Sequence, residues 1–324
     1  MNILIWHASC CAKCADIVVA PINFRKGIMM RTNEMSFAKT SKVSFREVKS
    51  KLLNSLMLAA LTVPGMAMAA DAETTEHKEG MHVIPASAHT VTANVGLFSD
   101  YLYRGISQTG AKPAIQGGFD YAHASGFYAG VWGSSISWLT DSPAVTGATS
   151  SQLELDTYFG FKNGFAEDFS YDVGFLRYNY PASYVAALPA GAAKADTDEI
   201  YGALGYKFVT AKFSYSLGNT FGIDKSKGTT YIDLSANYPI ADSGFTVSAH
   251  AGKQTYKGTV ADGLVAANST PTYTDYKVGV TKDLSGFVVG LTYSSTNANR
   301  TQYTSGTNKY LGKGTAVLSL TRSF

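Results

Sequence analysis

Short segments in which apolar and polar residues alternate recur twelve times after Thr90. Alternation with a period of two predicts β-strands whose two faces differ in character. The predicted strands cover residues 90–104, 114–122, 127–137, 151–162, 169–180, 198–207, 210–218, 229–238, 245–254, 274–282, 287–295 and 314–324. Most are near the length that crosses a bilayer at a tilt of about 45°.

The links between these strands are alternately long and short. The long links are 106–113, 138–150, 181–197, 219–228, 255–273 and 296–313, and the short ones are 124–126, 163–168, a break near Phe208, 240–244 and 283–286. Outer-membrane barrels have long external loops and short periplasmic turns. A secreted soluble β-sandwich, the alternative, has no reason to keep this order. The sequence therefore predicts an all-β, antiparallel transmembrane β-barrel of twelve strands over residues 90–324.

The faces of the predicted strands separate charge from apolar surface. In the fourth strand, Leu153, Leu155 and Phe159 alternate with Glu154 and Asp156. A Lys or Arg at the lipid midplane would cost about 2 to 4 kcal/mol, so the apolar set is expected to face lipid. Three residues in the third and fifth strands do not fit this separation of apolar and charged faces, namely Trp132, Leu176 and Arg177. Several aromatic residues near strand ends are expected to form girdles: Tyr101, Tyr103, Tyr121, Phe127, Tyr206, Tyr238 and Phe324.

The last segment predicts how the barrel closes. Leu318 and Leu320 lie on one face of the twelfth strand and Ser319 and Thr321 on the other. We expect this strand to pair with the first near residues 91–103, because a spanning sheet cannot leave an unpaired edge in lipid. Leu318 and Leu320 would face lipid. Phe324 would join the periplasmic girdle and, as in barrel proteins generally, take part in recognition by the insertion machinery.

Residues 49–70 have the three parts of a secretory signal peptide. Lys49 and Lys51 precede an apolar run over residues 52–63, and Ala67-Met68-Ala69 places cleavage after Ala69 or Ala70. The run is too short for a membrane-spanning helix of about twenty residues. Residues 1–48 are interpreted either as an over-long gene start or as a long leader, and residues 71–89 as a flexible periplasmic segment.

Removing the leader changes the electrostatic character of the chain. Of 27 Lys and Arg and 24 Asp and Glu, nine and three lie in residues 1–70, which leaves 18 basic against 21 acidic residues. This balance gives no case for nucleic-acid binding. Cys10, Cys11 and Cys14 all lie in the leader, so the mature chain has no disulfide framework. A metal site at His7 and these cysteines, or at His77, His82 and His89 of the segment that follows, is the weaker interpretation, and no cofactor is expected.

Two segments carry a resemblance to a known family. Residues 94–109, NVGLFSDYLYRGISQT, and residues 112–121, KPAIQGGFDY, closely resemble the opening of the TorF family of porin-like proteins, also known as the Gcw_chp outer-membrane proteins. The runs LELD at 153–156 and SYDVG at 170–174 are similar too. The resemblance spans residues 90–324. It implies an outer-membrane location and a porin-like architecture, without implying a substrate.

The strand pattern also predicts which charged side chains face the lumen. These are Asp100, Arg104, Asp120, Glu154, Asp156, Asp172, Glu199, Lys212, Asp233, His250, Asp275 and Lys277. Acidic residues outnumber basic ones in this set. The predicted function is passive passage of small polar solutes through a water-filled or partly plugged pore that slightly favours cations. The predicted partners are outer-membrane lipid, the solutes, and the periplasmic chaperones and insertion machinery during assembly.

Three alternatives stay open. The lumenal charges can instead form a structural network inside a closed barrel. The protein can also be an adhesin, whose exposed loops, rich in Thr, Ala, Ser and Gly, bind partners. A barrel hydrolase is conceivable, because His250 shares a face with Ser248 and can approach Asp233 on the neighbouring strand. Residues two apart on a strand are a weak signal for such a site, and the protein is predicted not to be an enzyme.

Overall fold

The computed structural model describes residues 87–258 and 270–324. The predicted leader at 1–48, the signal peptide at 49–70 and most of the segment at 71–89 lie outside the described residues, as do residues 259–269 of one long link. Within the described ranges, no helix has the length and apolar character needed to cross a membrane.

Twelve antiparallel strands form one closed barrel, which confirms the predicted fold. Each strand pairs with its neighbours in sequence, and the last pairs with the first. The strands are β1 His89–Phe98, β2 Ala114–His123, β3 Phe127–Ser135, β4 Leu153–Ala166, β5 Phe169–Asn179, β6 Thr197–Tyr206, β7 Val209–Ser216, β8 Thr230–Pro239, β9 Phe245–Thr255, β10 Tyr273–Leu284, β11 Phe287–Thr296 and β12 Thr315–Ser323.

Long external loops and short periplasmic turns alternate around the barrel, as predicted. In the shortest turns two residues join the strands; Ser285 and Gly286 both have positive φ, 57° and 87°, as a tight type I′ hairpin turn requires. One predicted turn, at 163–168, is wrong. β4 continues to Ala166 and β5 begins at Phe169, and the rings of Phe165 and Phe169 lie 5.6 Å apart and extend the hairpin.

The outer face of the barrel is apolar. Leu318 on β12 exposes 59% of its surface, and Val278 and Leu291 on the two preceding strands are similarly exposed. Placing such side chains in water would forgo about 25 cal/mol for each Å² of apolar area, whereas lipid accommodates them. The barrel therefore spans a membrane with this band in contact with lipid.

Outward-facing charges are confined to strand ends. Arg177 faces outward near the external end of β5 and forms an ion pair with Asp198 of β6, with Nη1 and Oδ1 2.9 Å apart. Arg322 lies near the periplasmic end of β12, over the ring of Phe287. At these depths a charged group can reach the polar headgroups. The other two residues on uncertain faces, Trp132 and Leu176, are both buried inside the barrel.

Aromatic side chains line the periplasmic rim. The rings of Phe169 and Tyr206 lie 4.7 Å apart, and those of Phe208 and Tyr238 lie 5.2 Å apart. Phe324 is 68% exposed on the same rim. The assignment of Tyr101 and Tyr103 to a girdle is wrong, because both side chains turn into the barrel.

That error follows from where β1 ends. The strand stops at Phe98, six residues earlier than predicted, and residues 99–113 fold inward as the first external loop. Two short strands, Leu102–Tyr103 and Ile106–Ser107, pair with each other in this loop. Arg104 and Gly105 make the turn between them with φ values of 45° and 77°. A Cβ on Gly105 would lie 2.8 Å from the Cβ of Asp275, so this turn packs closely against β10.

In the described parts of the other external loops, regular structure is limited to short segments. The second contains the helical turns α1, Trp138–Asp141, and α2, Pro143–Thr146, followed by a short strand, Ala148–Ser150. That strand pairs with Ser183–Tyr184 of the third loop. On the periplasmic side, Ala241–Ser243 forms a 3₁₀ turn. Many of the buried apolar residues lie inside the external half of the barrel, where the loops meet the strands, and Tyr128 lies near the periplasmic end of β3.

Candidate functional site in the barrel lumen

The inner wall of the barrel gathers the charged residues singled out from the sequence. Ten of the twelve lie on strands at positions whose side chains face away from lipid: Asp120, Glu154, Asp156, Asp172, Glu199, Lys212, Asp233, His250, Asp275 and Lys277. Asp100 and Arg104 were expected on the first strand, but they reach the interior from the first external loop. The wall therefore has seven carboxylates on strands.

Arg104 anchors the first external loop to the barrel wall. Its Nη1 and Nη2 donate to the two carboxylate oxygens of Glu199 at 3.1 and 2.7 Å, and Nη1 also donates to Gln254 Oε1 at 2.6 Å. Both members of the ion pair are buried, with side chains 7% and 2% exposed. Two parallel bonds to one carboxylate give this contact both strength and a defined geometry.

Aromatic faces surround the same guanidinium. Its carbon atom lies 4.2 Å from the ring centroid of Tyr231 and 4.9 Å from that of Tyr103. The hydroxyl of Tyr103 in turn donates to Tyr178 of β5. Rings at this distance attract a cation through their quadrupole. The loop is thus fixed to β5, β6, β8 and β9 at one point inside the barrel.

Asp100 organises the start of the same loop. Its Oδ1 accepts hydrogen bonds from Ser107 Oγ at 2.7 Å and Thr109 Oγ1 at 2.9 Å. Burial raises the pKa of the Asp100 carboxyl, while these two hydroxyls and the charge of Lys313 act in the opposite direction. Asp100 therefore serves to close the loop rather than to line an open passage.

His250 lies between two carboxylates. Its Nδ1 is 2.7 Å from Asp233 Oδ2 and its Nε2 is 2.7 Å from Asp275 Oδ2. A carboxylate accepts hydrogen bonds, so both ring nitrogens act as donors when both contacts are made, and the ring is then an imidazolium. The arrangement neutralises part of the charge of the two acids.

The same geometry bears on the hydrolase hypothesis. The serine that contacts His250 is Ser235 of β8, at 3.1 Å from Nδ1, and not Ser248. Ser235 Oγ donates its proton to Asp233 at 2.6 Å. A serine nucleophile needs a neutral histidine nitrogen to accept its proton. An imidazolium held by two carboxylates does not provide that acceptor.

Two acids on β4 are the most deeply buried. Glu154 and Asp156 are each 1% exposed. The hydroxyl of Tyr101 donates to Glu154 Oε1 at 3.2 Å. Within the described residues, Asp156 Oδ1 and the Nε1 of Trp132, its partner in the β3–β4 register, form no hydrogen bond. Neither acid has a cationic side chain within ion-pair distance among the described residues.

The periplasmic half of the lumen mixes acids, lysines and tyrosines. Tyr128 donates to Asp172 at 2.6 Å and is also hydrogen-bonded to Tyr201. Lys212 Nζ lies 3.9 Å from the centroid of the Tyr201 ring. On the other side of the wall, Tyr158 donates to Asp120 at 2.5 Å. Lys277 faces His250 across the β9–β10 register.

Packed aromatic and aliphatic side chains fill much of the external half. The rings of Tyr101 and Trp132 pack edge-on with their centroids 5.6 Å apart. The rings of Trp138 of α1 and Tyr180 pack in the same way, with centroids 5.5 Å apart. Leu139 of α1 is buried beside them. A second cluster contains Ile106, Tyr256, Tyr273 and Ala298. External loops one, two, five and six therefore enter the mouth of the barrel.

Several lumenal residues were not singled out from the sequence. Gln254 binds Arg104, Tyr231 contacts His250 and Asp275, and Ser235 binds Asp233. All three share the inward parity of their strands, so the alternation that selected the charged residues also contains these neutral ones. Selection by charge alone left them out.

The comparisons with solved structures find membrane barrels at low similarity. The outer membrane protein OprD of Pseudomonas aeruginosa is 14% identical, with 72% of this chain aligned to 64% of that chain at a TM-score of 0.32. The toluene transporter TodX of P. putida is 11% identical, with coverages of 73% and 90% and a TM-score of 0.38. LpxR from Salmonella typhimurium is 9% identical, with coverages of 72% and 99% and a TM-score of 0.37.

Among curated proteins, no sequence matches this chain. A family model described as a bacterial protein of unknown function, Gcw_chp, matches residues 82–324. This match covers the whole barrel and confirms the resemblance found in residues 94–121. The chain therefore belongs to the Gcw_chp family.

Proposed function

We propose that the protein is an outer-membrane channel through which small polar solutes pass passively, with a modest preference for cations. The observation that supports it is an excess of carboxylates on the inner wall of a closed barrel whose outer face is apolar. Export by a cleaved signal peptide, and insertion with periplasmic chaperones and the barrel-insertion machinery of a Gram-negative bacterium, belong to the same proposal.

The cation preference follows from the charge of the wall. Seven strand carboxylates face Lys162, Lys212, Lys277, His250 and the guanidinium of Arg104. A lumen with low-dielectric walls concentrates ions of the opposite sign. Asp120 contributes most to this effect, because the other six strand carboxylates are buried and no cationic side chain lies within ion-pair distance of Asp120 among the described residues.

The size of the passage is set by the first external loop. Eight-stranded barrels are filled by side chains and sixteen-stranded barrels leave a channel, so twelve strands lie between these limits. The loop crosses this space and is fixed by the Arg104–Glu199 pair. We therefore expect a narrow passage whose conductance is lower than that of a general porin.

Planar-bilayer recording of the purified full-length protein tests the proposal. A KCl gradient should give a reversal potential that indicates K⁺ permeating faster than Cl⁻. The variant Asp120→Asn, which removes the strand carboxylate that is not buried, should reduce this potential. Asp242→Asn removes a charge from an exposed periplasmic turn and is the matched control, which should behave as wild type. Absence of current from wild type and from Arg104→Gln would exclude the channel.

A closed structural or adhesive barrel is the second candidate, favoured by the packing of the external loops into the mouth. It predicts no current from any variant. Replacing residues 257–271 by a short Gly-Ser link separates the two functions. Lost attachment of cells, together with no current from the wild type, would support a closed adhesive barrel, whereas unchanged attachment would argue against adhesion.

A further inference from the structure

A cavity of about 460 Å³ opens at the external end of the barrel, between the first and last external loops. It is lined by none of the seven strand carboxylates, and it shares Asp100, Ser107 and Lys313 with the first-loop contacts described above. Its lining is formed by Asp100, Ser107, Gly110, Ala111, Arg300, Asn308, Lys309, Tyr310, Leu311, Lys313 and Thr315. Its volume falls in the range of small-molecule sites.

The cavity is cationic, in contrast to the lumen. Arg300, Lys309 and Lys313 line it, and its one carboxylate is Asp100. The Oδ1 atom of that carboxylate already accepts bonds from Ser107 and Thr109. Among the residues that the structure describes, none of the three cations forms an ion pair with a carboxylate. Three cationic groups around one partly satisfied acid leave the cavity with a net positive charge.

The backbone around the cavity is held in place by contacts between the two loops. Ser107 N donates to Leu311 O at 2.9 Å. Lys309 Nζ donates to Gly110 O at 2.8 Å, which uses one of its three protons. The site is thus organised before a ligand arrives, and preorganisation reduces the entropic cost of binding.

An apolar side accompanies the cationic groups. The Arg300 guanidinium lies over the Tyr310 ring, 5.3 Å from its centroid, so the edge of the guanidinium stays available for hydrogen bonds. Leu311 lines the same cavity. A planar guanidinium fork suits carboxylate and phosphate oxygens, and an aromatic ring suits a planar or apolar group beside them.

We propose that this cavity binds a small organic anion, in which a phosphate or carboxylate group is attached to a ring or a short apolar group. The anionic group lies between Arg300 and Lys313, and the apolar part rests against Tyr310 and Leu311. The site goes beyond the channel function, because the acidic lumen favours cations whereas this external site selects anions at the mouth.

Isothermal titration calorimetry of the purified protein in detergent tests this site, with phenyl phosphate as the probe. Inorganic phosphate and phenol represent its two halves. Phenyl phosphate is expected to bind at least about tenfold more tightly than either half, which corresponds to 1.4 kcal/mol. Its affinity should fall as NaCl is raised, because exposed charges are screened by salt.

The decisive variant is Arg300→Gln combined with Lys313→Gln. It should weaken binding of phenyl phosphate by at least about tenfold, whereas Lys227→Gln, which removes an exposed cation from another external loop, should leave binding unchanged. The single variant Lys313→Gln provides an intermediate measurement if the double variant does not form heat-modifiable barrel. Equal binding by the double variant and Lys227→Gln would overturn the proposal, as would the absence of saturable binding. Conductance is measured separately, so failure of this site is distinguishable from failure of the channel.

Discussion

Arg104 and Glu199 are 95 residues apart in the chain, and two hydrogen bonds, at 3.1 and 2.7 Å, join them inside the barrel. This contact fixes the first external loop to β6. Gln254 on β9 accepts a third bond from the same guanidinium. The loop therefore holds strands from two parts of the barrel in a fixed relation and narrows the space between them.

We expect Arg104→Gln to destabilise the barrel by about 3 to 5 kcal/mol, because it leaves the buried Glu199 charge without a partner. The double variant Arg104→Gln with Glu199→Gln should recover most of this loss. Urea unfolding in lipid vesicles, followed by tryptophan fluorescence, measures both values. A single variant as stable as the wild type would show that the pair does not hold the loop.

The folding stability of the protein should depend on pH through the Asp100 carboxyl. Because burial raises its pKa above the usual value of 3.8, its contribution to folding is largest at low pH and is lost as the pH rises through the folded pKa. Relative to Asp100→Asn, the wild type should lose stability as the pH rises above 3.8. Unfolding midpoints of both proteins across this range test the sign, and a wild type that gains relative stability would contradict it.

His250→Gln should destabilise the barrel, since Asp233 and Asp275 then lose the cation that lies 2.7 Å from each. Adding Asp233→Asn and Asp275→Asn should restore stability, because no buried charge is left unpaired. His123→Gln, at the exposed periplasmic rim, is the matched control and should have little effect. The unfolding free energies of these three variants, each compared with that of the wild type, test this prediction.

The end of β12 predicts a difference in assembly. Phe324 exchanges two backbone hydrogen bonds with Ala93 of β1, at 2.8 and 3.1 Å. Deleting Phe324 removes both bonds and a girdle aromatic, whereas Arg322→Tyr keeps the backbone pairing. The deletion should yield less heat-modifiable barrel on refolding than Arg322→Tyr. Equal yields would contradict this ranking.

The free-energy cost of a charged side chain on the lipid-facing surface should depend on its depth in the membrane. Leu318 lies mid-strand on β12, paired with Leu291 of β11. Leu318→Arg should destabilise the barrel in lipid vesicles by about 2 to 4 kcal/mol. Leu318→Ala is the control for lost side-chain volume and should cost less. The native Arg322, on the same face near the rim, shows that a charge is tolerated there.

Much of this architecture was predictable because it depends on local pattern. Strand parity placed Leu153 and Phe159 outside and Glu154 inside, since neighbouring side chains on a strand point to opposite faces. The order of long and short links identified which end of the barrel is external. The pairing of β12 with β1 followed from the need to leave no edge unpaired in lipid.

The interior was less predictable, because its contacts join residues far apart in the chain. Alternation continues beyond Phe98 in the sequence, so nothing local showed that Tyr101, Tyr103 and Arg104 leave the sheet. Only the tertiary structure placed Arg104 between Glu199 and Gln254, 95 and 150 residues away.

The sequence by itself determined the number of strands, their faces and the closure of the barrel, because these depend on periodicity and backbone pairing. The tertiary structure decided the path of the first loop, the partners of His250 and the cationic cavity at the mouth. Those features depend on charge pairing and packing among strands and loops brought together only when the barrel closes.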